Sequence, residues 1–126
     1  QEGKQINHTR VGVLGITFKE DVPDLRNTRV VDIVAELKDY GIDVLVHDPL
    51  ADAKEAKAYY GVDLKPLDQL AGVDALVMAV AHQSYIAMGM TQLAALCNGS
   101  RAVIVDVKSA FEPRHATAEN IVYWRL

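Results

Sequence analysis

What is scarce in this 126-residue sequence narrows its function before any motif is read. It has one cysteine, Cys97, so no disulfide can close within the chain, and a reducing, cytoplasmic setting is expected. No apolar run approaches the roughly 20 residues of a membrane span, and the N-terminus lacks the apolar core of a signal peptide. No membrane partner is therefore expected. Basic residues are in the minority, with a formal net charge of −4 and a pI of about 5.5. That balance argues against a nucleic-acid partner, because such binding leans on a basic face that neutralises phosphates. The histidines His8, His47, His82 and His115 share no metal-ligand spacing, so no metal is expected. There is no Ser-His-Asp order and no nucleophile elbow. Cys97 sits in AALCNGS, at the end of an apolar helix face, with no histidine spaced to activate it. It reads as a structural core thiol, and no catalytic residue is expected. Internal repeats and low-complexity tracts are missing as well.

What is present is a core. Half of the residues are hydrophobic and 24% are charged, the balance of one globular domain. A chain of this length buries roughly two thirds of its unfolded surface and needs no staples. Residues 1–9 are polar and aperiodic and read as a tail or linker remnant, leaving 10–126 as the domain. A first residue of Gln rather than Met fits a piece of a longer protein or a removed initiator.

Val11–Phe18 is an almost unbroken apolar run, as expected of a central parallel strand covered on both faces. From Thr28 to Tyr40 the period changes to that of a helix: Val30, Ile33, Val34 and Leu37 share one face, Asn27 or Thr28 can cap the start, and Gly41 fits the end. Ile42–His47 is the second strand, Asp52–Tyr60 a short helix closed by Gly61, Val62–Leu64 a short strand, and Leu67–Ala71 a helical turn. Asp74–Val80 and Arg101–Asp106 are further buried strands, flanking an irregular His82–Gly89 and a helix over Thr91–Cys97 that stops at Asn98-Gly99. Ile121–Arg125 fits an edge strand. Alternating strands and helices predict a three-layer α/β/α, Rossmann-like, doubly wound fold on a mainly parallel sheet of five to six strands. The ligand crevice of such a sheet lies outside the C-terminal strand ends, here near Phe18 and Lys19.

A dinucleotide fold should carry G-x-G-x-x-G directly after the first strand. Gly12 and Gly15 instead lie within the apolar run, where they let neighbouring backbone pack closely. The following loop offers Lys19, Arg26, Asn27 and Thr28. Two cations beside a helix N-terminus make a phosphate site, and Arg can fork onto phosphate oxygens. The alternative is that Lys19 and Arg26 only pair with Glu20, Asp21 and Asp24 of the same loop, and the residues alone leave both readings open. Phe18 is core by default or one wall of a ligand slot. Asp48, after the second strand, is at the place of a ribose-binding acid but reads better as a turn or capping residue. His82 reads as a solvated loop residue. A receiver-type phosphorylation domain has a similar size. It would need acids at the end of the first strand, where this chain has Phe18-Lys19.

The strand VGVLGITFK with its loop DVPDLRNT, the helix VVDIVAELKDYG, the strand end VHDP, the strand DALVMAVAH, and the closing VIVDVKS and YWRL together carry a pattern. Over residues 10–126 the chain resembles the C-terminal, UDP-sugar-binding domain of the UDP-glucose/GDP-mannose dehydrogenase family. The loop and YWRL look most like the branch that acts on UDP-N-acetylhexosamines. Glucose-specific members often carry Asp-Gly-Arg where this chain has Asp106-Val107-Lys108, which points away from UDP-glucose. The resemblance implies a four-electron oxidation of the sugar C6 hydroxyl to a carboxylate with two NAD+. An N-terminal domain would bind NAD+ and supply a cysteine nucleophile, and the full-length enzyme would be a homodimer. It further implies that Phe18, Lys19 and Lys108 contact the UDP-sugar and that Arg26 reaches toward NAD+. The family's Gly-rich loop and G-G-x-C-x-P nucleophile are not in this chain, so the chain is expected to bind and not to catalyse. The competing expectation is a stand-alone nucleotide-binding or regulatory module of the same fold.

Overall fold

A computed structural model describes residues 9–98, 102–113 and 121–125. The apolar run that opens the domain forms β1, Arg10–Leu14, and the continuity of that run follows from its place. It is flanked on both sides, pairing in parallel with β2 (Asp43–His47) and with β3 (Ala75–Met78). β4 (Ala102–Asp106) joins β3, and β5 (Ile121–Arg125) joins β4, again in parallel. The sheet order is β2-β1-β3-β4-β5.

Side chains alternate across this sheet and found two cores. One face packs Val13, Val46, Ala79 and Val80 against α1 (Val30–Asp39) and α2 (Ala53–Tyr60), through Val30, Val34 and Ala56. The other packs Leu14, Leu76, Met78 and Ile104 against the 3-10 turn Leu67–Leu70 and against α3 (Gln83–Ala94), through Leu70, Tyr85, Met90 and Leu93. The three-layer, doubly wound expectation is met. The strand count settles at five among the described residues, because Val62–Leu64 contributes only one bridge, Leu64 to Val46. The helix ends follow their chemistry. Asp52 caps α2 by accepting from the amides of Lys54 and Glu55, and Gly61 closes it in the left-handed conformation.

Two expectations are corrected. β1 stops at Leu14, not Phe18. Gly15 has φ +90° and turns the chain out of the sheet, while the residues up to Thr17 stay buried under the β2 and β3 ends. A buried run was read as one strand, yet it is a strand followed by a buried turn. The second concerns His82–Gly89, which is not irregular. It forms the first half of α3, and Gly89 at φ +80° kinks that helix before Met90. The glycine broke the apolar period that would have revealed it. The Gly99 stop and Arg101 lie outside the described residues.

The close packing expected of the early glycines is present. A Cβ on Gly12 would lie 2.8 Å from a Leu70 methyl, and one on Gly15 would lie 2.6 Å from Val80 Cβ. Gly61 has similar left-handed geometry with open space around it. Gly15→Ala is therefore expected to cost about 3 kcal/mol, strain plus overpacking, and Gly61→Ala about 1 kcal/mol from strain alone. Urea unfolding of the two variants measures the difference, and equal losses would show that the Val80 contact is not the limiting one.

Candidate functional site

The strand order reverses direction between β1 and β3, and an open α/β sheet leaves its ligand crevice outside the C-terminal strand ends at such a reversal. A hollow of about 170 Å³ lies there. Val30 and Ile33 of α1 and Ala79 and Val80 after β3 line it, together with Phe18, Asn27, Arg29, Val107 and Lys108. The N-terminus of α1 thus opens on a partly apolar hollow with a cation at hand, a setting that suits an anionic group attached to a flat ring. A second, wider groove of about 680 Å³ runs between the same loop and α2, lined by Pro23, Asp24, Leu25, Arg26, Leu50, Asp52, Glu55 and Tyr59. The loop from Phe18 to Thr28 borders both.

Each expected site residue can now be placed. Phe18 is not core: it is 52% exposed, because the strand has ended four residues earlier and the ring stands at the rim of the hollow. Lys108 shares that rim. Arg26 faces the second groove and is paired within the loop, its Nε 3.1 Å from Asp24 Oδ1. The side-chain hydrogen bond from Arg26 lowers the Asp24 pKa, and the same bond raises that of Arg26. For Arg26 the in-loop pairing is therefore real, although the side chain stays 82% exposed. Lys19 lines neither hollow. It is exposed and has no ion pair among the described residues, and its carbonyl accepts from the Thr17 hydroxyl.

Behind this rim lies a buried polar network that the sequence reading missed. Asp48 is buried, and its carboxylate accepts from four backbone amides: Ile16 at 2.7 Å, Thr17 at 3.2 Å, Leu50 at 2.8 Å and Ala51 at 2.9 Å. His82 donates to it through Nε2 at 2.9 Å. His82 is thus not a solvated loop residue but 1% exposed, and its Nδ1 accepts from the Asp21 amide at 2.9 Å. An accepting Nδ1 and a donating Nε2 define the neutral ring with its proton on Nε2. Asp21 in turn accepts from the amide of Gln83. The turn role expected for Asp48 is correct but incomplete, since the same carboxylate ties β2 to the loop after β1. The signal available was the pairing of an HDP strand end with a second histidine directly after a buried strand. Thr28 adds a further tie: its hydroxyl donates to the Ile16 carbonyl at 2.6 Å and accepts from the Val30 amide at 3.2 Å. The N-cap position of α1 falls on Arg29, which makes no side-chain cap bond, so the cap expected of Asn27 or Thr28 is replaced by this one Thr28 bond from a residue further out.

β4 ends in a similar way. Asp106 is fully buried and accepts from the amides of Lys108, Ala110 and Phe111 and from the Tyr123 hydroxyl. Burial, and then the Asp106 bond, push the Tyr123 pKa up to about 12. This carboxylate folds the turn that carries Lys108 to the rim. Cys97 is half-buried beside the Val103 carbonyl, and burial raises its pKa, which fits the structural thiol expected of it. Among the described residues no group of three His, Cys, Asp or Glu could hold a metal, and no helix is long and apolar enough to cross a membrane.

Fold and crevice together define a doubly wound α/β domain with a hollow at the strand-order reversal, built without a dinucleotide glycine loop. The sequence profile of the UDP-glucose/GDP-mannose dehydrogenase family, UDP binding domain, matches residues 12–113, and the chain belongs to that family. It is 46% identical over 86 residues to Protein CapL of Staphylococcus aureus, covering 68% of this chain and 20% of that protein. It is 40% identical over 103 residues to a UDP-N-acetyl-D-glucosamine 6-dehydrogenase of Pseudomonas aeruginosa, covering 82% and 24% respectively. Among solved structures, an NDP-N-acetyl-D-galactosaminuronic acid dehydrogenase of Methanosarcina mazei Go1 superposes with a TM-score of 0.85 at 26% identity, over 98% of this chain and 25% of that one. The chain thus spans about a quarter of the length of the relatives it matches. The resemblance drawn from the FK loop, HDP and VDVK is borne out.

Asp48 also sets an acid limit on stability. Burial opposes its ionisation, but the His82 bond and the Ile16 and Leu50 amides outweigh it and hold the pKa down to about 2. An unfolded aspartate titrates at about 3.9. The folded state therefore gains about 2 kcal/mol, in full above pH ~4 and lost as pH falls toward about 2. Asp48→Asn should lose about that much at pH 7 and show a shallower decline between pH 5 and 2. Unfolding free energies measured across that range test this, and a variant with the wild-type acid slope would remove Asp48 as the cause.

Proposed function

We propose that this chain is the UDP-sugar-binding domain, residues 10–126, of an NAD-dependent dehydrogenase that oxidises the C6 hydroxyl of a UDP-N-acetylhexosamine to a carboxylate. Such a cytoplasmic enzyme would supply precursors for surface polysaccharide. The observation that carries the reading is the hollow at the β1/β3 reversal, with Phe18 and Lys108 on its rim and the α1 N-terminus beside it. At about 170 Å³ it falls below the roughly 300–1,000 Å³ of complete small-molecule sites. That size suits half of a cleft whose other half is brought by an N-terminal domain of the same polypeptide. The hexosamine is supported by the named activity of the Pseudomonas relative and by Val107-Lys108 following Asp106.

In this reading the exposed Phe18 ring stacks on a flat part of the ligand and Lys108 faces the diphosphate, while Lys19, which lines neither hollow, reaches the diphosphate from outside the hollow. The amides at the start of α1 add their partial positive charge to the same side. Closure of the second domain then excludes water, which strengthens these charge contacts. In this reading the chain does not cradle NAD+ by itself, which the missing glycine loop and the packing of Leu70 and Val80 against Gly12 and Gly15 support. Its contribution to NAD+, held mainly by the N-terminal domain, is the exposed guanidinium of Arg26 across the cleft. Asp24 holds that group in place by a bond exposed enough to be exchanged for a phosphate. NAD+ is the hydride acceptor for the oxidation, and the chain supplies no nucleophile or base for it. The working enzyme is proposed to be a homodimer.

The test is steady-state kinetics of the whole enzyme with UDP-GlcNAc, UDP-GalNAc and UDP-glucose. Lys19→Ala and Lys108→Ala should each raise the KM for the UDP-sugar about tenfold with little change in that for NAD+, the loss of one charged contact being worth about 1.4 kcal/mol. Arg26→Ala should act the other way round. The 126-residue chain alone should produce no NADH. NADH production by that chain, or three variants that leave both KM values unaltered, would overturn the assignment.

A further inference from the structure

The segment between Thr17 and Asp21 contains three residues, Phe18, Lys19 and Glu20, all exposed. Its two ends are anchored separately. The Thr17 amide is held by Asp48 and the Asp21 amide by His82 Nδ1. The two anchors are themselves joined, through His82 Nε2 and Asp48 Oδ2 at 2.9 Å. A closed ring of contacts therefore surrounds the segment: Asp48, His82, Asp21, the three-residue span, Thr17 and back to Asp48. Within the ring the Thr17 hydroxyl donates to the Lys19 carbonyl at 3.0 Å and lies 3.2 Å from His82 Nε2. Asp21 has φ +63°, a conformation that a non-glycine residue holds only when its surroundings enforce it. Two bonds at that residue enforce it, one that its amide donates to His82 Nδ1 and one that its carboxylate accepts from the Gln83 amide.

A histidine that serves packing alone needs none of this. Its ring would fill the space as well with one satisfied nitrogen. Here each nitrogen serves a different element, and the one that faces the loop is the one with no role in holding the strand ends together. We infer that His82 is a positioning residue for the UDP-sugar site, fixing the rim segment that carries Phe18 and Lys19 through the bond its Nδ1 accepts from the Asp21 amide. The inference rests on the UDP-sugar reading of that rim. The ring does not touch the ligand. It sets where the stacking ring and the ammonium stand before the ligand arrives, so that less freedom is lost on binding.

Two substitutions separate the two halves of the ring. In His82→Asn the side-chain oxygen falls near the Nδ1 position, so the Asp21 amide keeps an acceptor while Asp48 loses its donor. In His82→Gln the amide nitrogen falls near Nε2, so Asp48 keeps a donor while the Asp21 amide is left unpaired. Both are made in the whole enzyme. Amide hydrogen exchange at Asp21, read without ligand, should quicken about tenfold in the Gln variant and far less in the Asn variant. The UDP-sugar KM should follow the same order, rising about tenfold in Gln and by less than half of that in Asn, with kcat and the KM for NAD+ little changed. The melting temperature should follow the reverse order, because the buried Asp48 carboxylate loses a partner only in the Asn variant. KM values that track the melting temperature, or that stay put while exchange at Asp21 quickens, overturn the inference. A wild-type enzyme indifferent to UDP-sugars would sink the substrate reading instead, and the exchange experiment would still report on the His82 bond.

Discussion

A carboxylate buried at the end of β2 is the constraint on which the crevice depends. Asp48 could stay ionised out of water only if nearly every lone pair found a donor, and four amides and a histidine supply them. Those donors come from three parts of the chain: the turn after β1, the turn after β2 and the residue before α3. Satisfying one charge therefore brings three strand ends into a fixed relation. No buried side-chain nitrogen or oxygen among the described residues is left without a partner, so the network is complete rather than a relic of imperfect packing.

Asp106 repeats the device at β4, where it collects the amides of the turn that carries Lys108. The two carboxylates divide the labour of shaping the hollow. One sets the rim on the side of Phe18, the other on the side of Lys108. Between them lies an apolar floor of Val30, Ile33, Ala79 and Val80, and three of these, Val30, Ala79 and Val80, belong to the core of one sheet face, so rim and floor have separate origins.

Much of this was legible in the residues. The continuous apolar runs of β1 and β3 announced central parallel strands, and the valine spacing of α1 announced its buried face. The missing glycine loop set the domain apart from the usual dinucleotide-binding pattern. The errors share a cause. Gly15 and Gly89 each end or bend an element inside an otherwise apolar stretch, and local pattern alone does not say whether such a glycine interrupts or terminates. Phe18 looked like core because its strand seemed four residues longer than it is. His82 was misjudged because burial of a polar ring depends on partners 34 and 61 residues away, Asp48 and Asp21, and no window along the chain contains them. Arg26 and Asp24, two residues apart, are within reach of such a window, and their pairing was one of the two readings the residues left open.

The all-parallel sheet has a consequence for how the domain comes into being. No two adjacent strands are joined by a hairpin. Each pairing waits for a crossover to close, and such long-range topologies fold slowly. The hollow is lined by residues that follow β1, β3 and β4 and by the start of α1, so no early, local piece of the chain contains it in working form. Whatever ligand the crevice takes can recognise only a chain in which β1, β3 and β4 have already paired. Its occupancy is then a gauge of whether those strands have paired, and a chain in which they have not gains no stabilisation from abundant ligand.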